Sequence, residues 1–367
     1  MMFKEYAKNA VGWKSKRKLV ALAFDDYGSV RLDSWKARER LEQFGLRLTN
    51  RFDRLDALET AQDMSALLES LGSVRDSSAS TAVLTPYAVT GNINFRASIE
   101  KGKYVFSTVK ESFERLAAKN PEAYGDARRI WKEGMEEGIL SPEFHGREHL
   151  NVGVFNKLLE KNDSEVIECL KQNSYLSLPV HKKFQGGMSA AFAFEMMDET
   201  KEFLSIIKEG LYQFEEVYGK KATCFTPPAQ HFPKHLIHYL PQLGIKGMDR
   251  PFMLNQHYGK GKYKRELHFT GMKNGLVNLV RNVVFEPTQV GALKAVALAM
   301  KQSTAAFSLK RPVIISSHRV NFGGHIEEKN RSEGLVALKT LLKSLIQQWP
   351  DIEFVSIQEL EQEIRGT

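Results

Sequence analysis

Short apolar runs alternate with longer amphipathic stretches along most of the chain. The clearest run, residues 19–24, is followed at once by Asp25 and Asp26. Such uninterrupted apolar runs are typical of strands buried on both faces of a parallel sheet. Similar runs predict strands at residues 81–90, 139–144, 222–226, 244–248, 276–285, 312–318 and 352–355, and Pro86 favours an edge position for the first of these. Helices are predicted over residues 33–72, 107–137, 151–172, 198–218, 288–307 and 332–348.

The alternation of strands and helices predicts a parallel α/β architecture. We expect residues 1–367 to form a single domain, because no Gly- or Ser-rich linker and no change in composition divides the chain. Hydrophobic residues make up 42% and charged residues 26%, a balance that favours a globular protein over a disordered one. No apolar run approaches ~18 residues, which excludes a membrane span. The two cysteines, Cys169 and Cys224, are too few for a disulfide scaffold or a Cys-rich zinc module.

The formal net charge is +8, and the densest basic run is residues 259–265. Charges of both signs are interspersed elsewhere, so we expect a solvated surface and no nucleic-acid partner. The basic run predicts a solvated hairpin tip, and the alternative is contact with an anionic saccharide or with a lipid- or nucleotide-linked one. No apolar segment of a secretory signal precedes the basic residues 14–18, so we expect a cytoplasmic protein.

Polar side chains capable of catalysis follow three of the apolar runs. Asp25 and Asp26 follow the first run, His145 and His149 follow another, and His318 ends a third. In barrels and doubly wound sheets the carboxyl ends of the strands share one face, and that face holds the active site. We therefore expect these five side chains to converge.

The two histidines suggest a metal site. They are four residues apart, which would place them on one face of a helix that started there. With Asp26 they form a His₂-carboxylate ligand set with open positions, the arrangement of hydrolytic metal sites. Asp25 would then be free to act as a general base and His318 as a general acid. Plainer alternatives stay open, because adjacent acids after a strand often cap helices or form turns and a histidine in an apolar run is often a core residue.

Together these residues resemble the motifs of the polysaccharide deacetylase superfamily, the NodB-like carbohydrate esterases. The family's Thr-Phe-Asp-Asp-Gly motif is similar to residues 23–27, its His-Ser/Thr-x-x-His motif to residues 145–149, and its Leu-x-x-His motif to residues 315–318. Its Arg-x-Pro-Tyr motif is matched in part by residues 226–229, and the motifs occur in the family order. The resemblance implies a distorted parallel (β/α) barrel of seven or eight strands, with the active site at the C-terminal strand ends.

The resemblance also implies a role for each motif residue. Asp25 would be the base and His318 the acid, while Asp26, His145 and His149 would hold one divalent metal, with Zn²⁺ the expected ion. The reaction implied is hydrolytic removal of acetyl groups from an N- or O-acetylated saccharide.

Two features depart from the family pattern. The arginine of the third motif, which orients the base, is replaced by Thr226, and Arg281, Arg319 or Arg147 could take its place. No convincing fourth motif, Asp-x-x-Asp-Trp, is present, and Asp249 is only near its place in the order. The sequence therefore predicts a divergent branch of the family.

Weaker candidates for substrate contact lie in or near these motifs. Each is selected by a loop position, by the end of a strand-like run or by a partial motif match, and turn formation or core packing explains each about as well. They are Tyr27, Asn92, Pro227, Pro228, His231, Arg281, Arg319 and Asn321, with His181 and His257 in polar loops as weaker cases.

We therefore predict a metal-dependent carbohydrate deacetylase acting on a saccharide that the basic run suggests is anionic or carrier-linked. One alternative is a carbohydrate-binding barrel without catalysis, which the replaced arginine permits. Another is an inverted zinc peptidase, since residues 145–149 fit His-x-x-Glu-His with Glu148 as the base. That alternative needs a long helix through the motif, which Pro142 and Gly146 disfavour. Cleavage of a glycosidic bond would need a second carboxylate opposite Asp25, and none is evident.

Overall fold

The computed structural model describes residues 2–178 and 187–366. Fourteen strands lie within these ranges, and ten of them form one curled, largely parallel sheet. In chain order the strands are β1 (Lys18–Tyr27), β2 (Leu84–Ala88), β3 (Gly91–Ile93), β4 (Phe106–Thr108), β5 (Glu143–Phe144), β6 (Cys224–Phe225), β7 (Gly247–Asp249), β8 (Met253–His257), β9 (Tyr263–Leu267), β10 (Gly271–Lys273), β11 (Leu276–Leu279), β12 (Val283–Val284), β13 (Val313–His318) and β14 (Ile352–Phe354).

Helices connect most of these strands. In the described ranges the α-helices are α1 (Met2–Asn9), α2 (Trp35–Gln43), α3 (Arg51–Leu55), α4 (Ala61–Gly72), α5 (Phe95–Lys101), α6 (Val109–Lys119), α7 (Pro121–Tyr124), α8 (Ala127–Glu136), α9 (Val152–Glu160), α10 (Ser164–Lys171), α11 (Phe203–Tyr218), α12 (Pro287–Val290), α13 (Ala292–Ser308), α14 (Glu328–Gln348) and α15 (Ile357–Arg365). Short 3₁₀ turns lie at Met197–Thr200, Pro228–Gln230, Lys234–Leu243 and Arg319–Phe322. None of these helices has the length and apolar character needed to cross a bilayer.

The order of the strands curls the sheet into a barrel-like form. The order is β10-β11-β7-β6-β5-β2-β1-β13-β12, with β14 also paired to β1, and only β10 with β11 is antiparallel. The extended segment 276–284 pairs with β7 through β11 and with β13 through β12. This segment therefore joins the two ends of the curled sheet, and the predicted barrel class is confirmed.

The single strand predicted over residues 276–285 is wrong, because the segment is divided into β11 and β12. Asn282 lies between the two strands, and its side-chain amide forms hydrogen bonds with backbone groups at the start of β13. It donates to the carbonyl of Pro312 at 2.8 Å and accepts from the amide of Ile314 at 2.9 Å. A side chain thus replaces ladder hydrogen bonds at this point, which lets the backbone turn from one end of the sheet to the other.

The two faces of β1 belong to different parts of the core. Successive side chains of a strand point to opposite faces. Leu19, Ala21 and Ala23 pack in an inner cluster with buried residues of β6, β11, β13 and α15. Val20, Leu22 and Phe24 pack in the larger cluster between the sheet and the surrounding helices. The buried run 19–24 therefore has both faces covered, as predicted, whereas α15 was not predicted.

Most of the long predicted helices are divided in the structure, some of them by capping residues. The stretch 33–72 contains three helices, because the side chain of Asn50 caps α3 and Thr60 forms a capping box with Asp63 at the start of α4. The other divided stretches are 107–137, 151–172, 198–218 and 288–307. The sequence pattern located the helical regions but not these interior starts.

Pro86 lies in a central strand, so the predicted edge position is wrong. Its strand β2 pairs with β1 on one side and β5 on the other. Pro86 lies opposite Phe24, and the register between the two strands shifts just after that pair. A residue without an N–H group is tolerated here because the regular ladder ends at this position.

Candidate active site

The carboxyl end of β1 carries two buried aspartates in different surroundings. Asp26 has a φ of 76°, in the left-handed region that residues other than glycine seldom adopt. This conformation coincides with the register shift between β1 and β2. Side chains of Asp25 and Asp26 therefore reach different neighbours, and both are almost fully buried.

Asp26 lies against two histidines from a separate loop. Its Oδ1 is 3.4 Å from Nε2 of His145 and 3.1 Å from Nε2 of His149. One ligand atom from each of the three residues can be chosen so that all lie within 4.8 Å of one another. In the described part of the chain this is the one group of His, Cys, Asp or Glu with such spacing. The predicted convergence of Asp26, His145 and His149 is therefore confirmed.

The hydrogen bonds of this cluster suit a cation. Nδ1 of His145 lies 2.8 Å from the carbonyl oxygen of Thr226, which can only accept, so Nδ1 carries the proton and Nε2 keeps its lone pair. That Nε2 is buried and has no hydrogen-bond partner. Burial lowers the pKa of His149, which keeps it neutral. Although burial acts the other way, the nearby His149 and the close contacts with both imidazoles hold the pKa of Asp26 well below its usual range. A carboxylate beside two neutral imidazoles is a divalent-metal ligand set.

The two histidines lie on a loop and not on a helix, so the helical reading of their spacing is wrong. Residues 145–151 have no helical turn, and α9 begins only at Val152. Gly146 has a φ of 108°, and a Cβ there would meet the ring of Pro228 at 3.3 Å. The hydroxyl of Tyr175 donates to the carbonyl of His149 at 2.9 Å. The left-handed conformation of Gly146 and the hydrogen bond from Tyr175, and not a helix, thus bring the two histidines together.

Asp25 is held by a buried arginine. Both guanidinium nitrogens of Arg281 donate to the two carboxylate oxygens of Asp25 at 2.7 Å each, a bidentate pair. Burial raises the pKa of Asp25, but the charge and hydrogen bonds of Arg281 prevail, and the net effect lowers it. Asp25 is therefore ionised and fixed in orientation. Of the three arginines considered from the sequence, Arg281 is the one that contacts Asp25.

Arg281 is itself fixed by a second carboxylate. Its Nε forms an ion pair with Asp249, and its Nη2 donates to the hydroxyl of Thr226 at 3.1 Å. Thr226 Oγ1 also donates to Asp249 at 3.2 Å. Burial raises the pKa of Asp249 to about 6, although Arg281 opposes the rise. Thr226, the residue in place of the arginine of the third motif, thus contacts Arg281.

His318 lies across from Asp25 at the end of β13. Its Nε2 is 3.9 Å from Oδ2 of Asp25, and its Nδ1 is 2.5 Å from Oε1 of Glu286. Burial lowers the pKa of His318, but Glu286 and the two aspartates outweigh it and raise the pKa to about 9. The imidazole is therefore protonated at neutral pH, and its side chain is the most exposed of the five motif residues at 27%.

Two side chains, those of Arg51 and Asn321, position Glu286. Arg51 pairs with its Oε2 at 2.8 Å, and the amide of Asn321 donates to the same oxygen at 2.6 Å. Asn321 also donates to the hydroxyl of Ser317 and to the carbonyl of His318. The carboxylate is therefore held in place to accept the proton of His318 Nδ1.

Several predicted substrate-binding residues are occupied in internal contacts. Arg319 is buried and forms ion pairs with Asp56 and Glu59 at 2.8 Å each. The amide of Asn92 accepts from Val30 and donates to Gly28 and Ser112. The side chain of Tyr27 is 1% exposed and packs edge-on against Trp131, and Asn321 is fully buried beside Glu286. The structure does not bring these four residues to an accessible surface of the site. The polar groups of Arg319, Asn92 and Asn321 bond within the surrounding framework, and the hydroxyl of Tyr27 is buried with no hydrogen-bond partner among the described residues.

The partial third motif, residues 226–229, lies beside the loop that carries His145 and His149. Pro227 and Pro228 are buried, and Pro228 packs against Gly146 between the two histidines. His231 is half-buried, and burial lowers its pKa. It lines a small cavity with His257, Phe194 and Phe232. His181 lies outside the described residues.

Glu286 and Arg51 are site residues that the sequence pattern did not single out, and Asp249 was named only for its place in the motif order. Glu286 follows the predicted strand 276–285 by one residue, which is the same position relative to a strand that selected Asp25 and His145. That signal was present and was not used. Arg51 lies inside a stretch predicted as one long helix, so nothing in the pattern directed it toward the barrel.

Comparisons with known proteins bear on the fold. No family model matches the chain, and no curated protein matches it. A solved structure from Parabacteroides distasonis, provisionally described as a glycoside hydrolase/deacetylase, matches with a TM-score of 0.50 at 11% identity, covering 95% of this chain and 71% of that one. A protein from Mycobacterium smegmatis, provisionally described as a polysaccharide deacetylase, matches with a TM-score of 0.46 at 13% identity, covering 97% and 93%. A 4-alpha-glucanotransferase from Thermococcus litoralis matches with a TM-score of 0.46 at 10% identity, covering 95% and 41%.

Identities this low concern the fold alone, and of the three scores only the one of 0.50 carries weight. The fold is thus shared with a structure described as a glycoside hydrolase/deacetylase. The resemblance drawn from the motifs is confirmed at the level of fold.

Proposed function

We propose that the chain is a metal-dependent hydrolase that removes acetyl groups from an N- or O-acetylated saccharide. The observation that carries the proposal is the junction of three units: the Asp26–His145–His149 cluster, the Asp25–Arg281 pair and the His318–Glu286 pair. Oδ1 of Asp26 lies within 3.4 Å of both histidines, and Oδ2 of Asp25 lies 3.9 Å from His318.

A divalent ion fits the first unit, because the unpartnered lone pair of His145 Nε2 and the ionised carboxylate of Asp26 face each other in a buried space. Asp26, His145 and His149 would hold this ion, with Zn²⁺ our first choice. When bound, such an ion supplies Lewis-acid polarisation of a carbonyl and lowers the pKa of water towards ~7.

Asp25 and His318 have the opposite charge states that a base and an acid require. Asp25 is ionised because Arg281 stabilises its negative charge, and a carboxylate with two hydrogen bonds still has lone pairs to accept a proton from the attacking water. His318 is protonated, with a pKa of about 9, because Glu286 stabilises the imidazolium. We assign Asp25 as the base and His318 as the group that protonates the departing nitrogen or oxygen.

The competing peptidase assignment fits the geometry less well. Its base, Glu148, is buried, and its carboxylate is engaged by the guanidinium of Arg147 and the hydroxyl of Tyr104. The loop conformation of residues 145–149 also removes the long helix that the peptidase motif needs.

The test begins with metal content, measured by plasma mass spectrometry on the purified protein. We expect about one divalent ion per chain in the wild type and none in His145→Ala/His149→Ala. A matched control is His235→Ala/His238→Ala, which removes two exposed histidines and should leave the metal content unchanged.

Acetate release from acetylated saccharides then tests the reaction. Asp25→Asn should lower the turnover rate by ~10²–10⁴-fold, while metal content and saccharide binding stay unchanged. A wild type that binds no metal after incubation with zinc, cobalt or nickel would refute the metal-dependent mechanism and leave a carbohydrate-binding barrel. A metal-loaded protein that releases acetate from none of the saccharides would refute the deacetylase assignment alone.

A further inference from the structure

Most of the chain's excess positive charge is concentrated in one inserted segment. Residues 250–275 contain six basic side chains and a single acid, Glu266, so this segment carries +5 of the chain's net +8. The acid is already paired, because Glu266 lies 2.5 Å from Nζ of Lys234. The excess of positive charge on this segment is therefore uncompensated by its own acids.

The segment forms the predicted hairpin. β8 and β9 pair antiparallel from Met253 with Leu267 to His257 with Tyr263, outside the main sheet. The basic run lies at and after the turn, and Lys260, Lys262, Lys264 and Arg265 are all exposed. Within the described residues none of these four cations has an acidic partner closer than 4 Å.

Exposed apolar side chains lie beside these cations. Met253 and Leu267 are cross-strand neighbours at the base of the hairpin, and they are 52% and 50% exposed. Leu267 also borders a groove of about 600 Å³ that continues past Phe269 to Met272 and Trp13. We define the hairpin face as the exposed apolar residues Met253, Leu267 and Met272 together with the cations Lys260, Lys262, Arg265 and Lys273.

The hairpin face adjoins the candidate active site. Met253 follows Asp249 by four residues, and Asp249 forms the ion pair with Arg281 that fixes Asp25. The turn of the hairpin is held by a second loop, since the amide of Lys260 donates to the carbonyl of Glu195 at 2.8 Å. A Cβ at Gly259 would meet Met197 at 3.3 Å, so this loop packs closely on the turn. A surface bound to the hairpin face would therefore lie next to the mouth of the barrel.

We propose that the hairpin face docks on the surface of an anionic phospholipid bilayer. Lysines and arginines that flank exposed Met and Leu side chains are the pattern of interfacial binding, in which the apolar groups enter the headgroup region and the cations meet phosphate. Nucleic acids and acidic glycans match the cations but leave Met253, Leu267 and Met272 without a partner. Charge complementarity and the apolar pair together therefore favour a lipid surface.

Docking here would give the proposed deacetylase a lipid-carried saccharide at the membrane. That consequence rests on the proposed function, whereas lipid binding is measured without turnover. The two can therefore fail separately.

The experiment is co-sedimentation of the full chain with vesicles of phosphatidylglycerol mixed with phosphatidylcholine, compared with vesicles of phosphatidylcholine alone. We expect binding to the anionic vesicles only, weakening as salt is raised. Lys260→Glu/Lys262→Glu/Arg265→Glu should weaken the binding by about a hundredfold or more, at roughly fivefold for each basic residue lost. Met253→Ser/Leu267→Ser should weaken it by about tenfold or more, because two exposed apolar side chains no longer enter the bilayer.

Two matched variants control for charge and for apolar surface elsewhere. Lys208→Glu/Lys294→Glu/Lys343→Glu changes the same net charge at exposed sites on α11, α13 and α14 and should bind almost as wild type. Leu293→Ser/Val336→Ser removes exposed apolar groups that are 88% and 67% accessible and should also bind as wild type. Equal losses in the hairpin and control variants would overturn the proposal, because binding would then follow net charge alone. Binding to duplex DNA or polygalacturonate with no binding to the anionic vesicles would also overturn it.

Discussion

Arg281 neutralises two buried carboxylates at once, so its removal should be costly. In Arg281→Met, Asp25 loses a bidentate pair and Asp249 loses its ion pair, while both remain buried. Removing one partner of a buried ion pair typically costs ~3–5 kcal/mol. For 367 residues, an unfolding entropy of ~2.1 cal/mol/K per residue converts that loss into a fall of roughly 4–6 °C in Tm.

The assay is the thermal midpoint by differential scanning calorimetry at neutral pH. Asp249→Asn added to Arg281→Met should recover part of the loss, because it removes one of the two unpaired charges. The Tm of Arg281→Lys should lie between those of Arg281→Met and Arg281→Met/Asp249→Asn, since an ammonium keeps the charge but not the bidentate geometry. The control is Arg129→Met, an exposed arginine with ion pairs on its own helix, which should shift Tm by less than ~1 °C. An Arg281→Met variant no less stable than the Arg129→Met control would show that solvent screens the site, contrary to its burial.

Three further predictions follow from the same region. In Glu286→Gln the pKa of His318 should fall from about 9 towards its ordinary value. The raised pKa of His318 stabilises the fold fully below the ordinary pKa of histidine, and that stability is lost as pH rises through about 9. The difference in unfolding free energy between wild type and variant should therefore narrow between pH 6.5 and 9, and the alkaline limb of the pH–rate profile should shift to lower pH. An alkaline limb at the wild-type pH would contradict the pairing of His318 with Glu286. Gly334→Ala should lower stability by ~1–3 kcal/mol or more, because its Cβ would lie 1.8 Å from the backbone oxygen of Asn321; a urea midpoint equal to wild type would contradict this contact. Zinc at ~100 times its Kd should stabilise the wild type by ~2.7 kcal/mol but not the double-histidine variant, and equal stabilisation of both in thermal scans would place the ion elsewhere.

The sequence pattern predicted the parts of the site that follow strands. Asp25, Asp26 and His318 end buried apolar runs, and the carboxyl ends of parallel strands share one edge, so their convergence follows from the class of fold. Those positions needed no knowledge of loop conformation.

The parts that depended on pairing or loop geometry could not be read in the same way. Arg281 reaches Asp25 only because residues 276–284 pair with β7 and then with β13, and no local pattern encodes that switch. The spacing of the histidine pair fits one face of a helix, whereas a left-handed Gly146 brings the rings together on a loop. Both errors have the same origin, since tertiary contacts overrode the local period of the sequence.

The strap formed by residues 276–284 has a consequence for the order of synthesis. A ribosome has made all three members of the Asp26 cluster by residue 149, but the cation that orients Asp25 comes at residue 281 and the proposed acid at residue 318. β1, which carries both aspartates, also pairs with β13 and β14 near the end of the chain. The nascent protein therefore acquires both aspartates and both histidines early, and gains Arg281 and His318 only when the last third is translated. Until then the central strand lacks two of its neighbours, so the barrel closes and the site is completed in one late step.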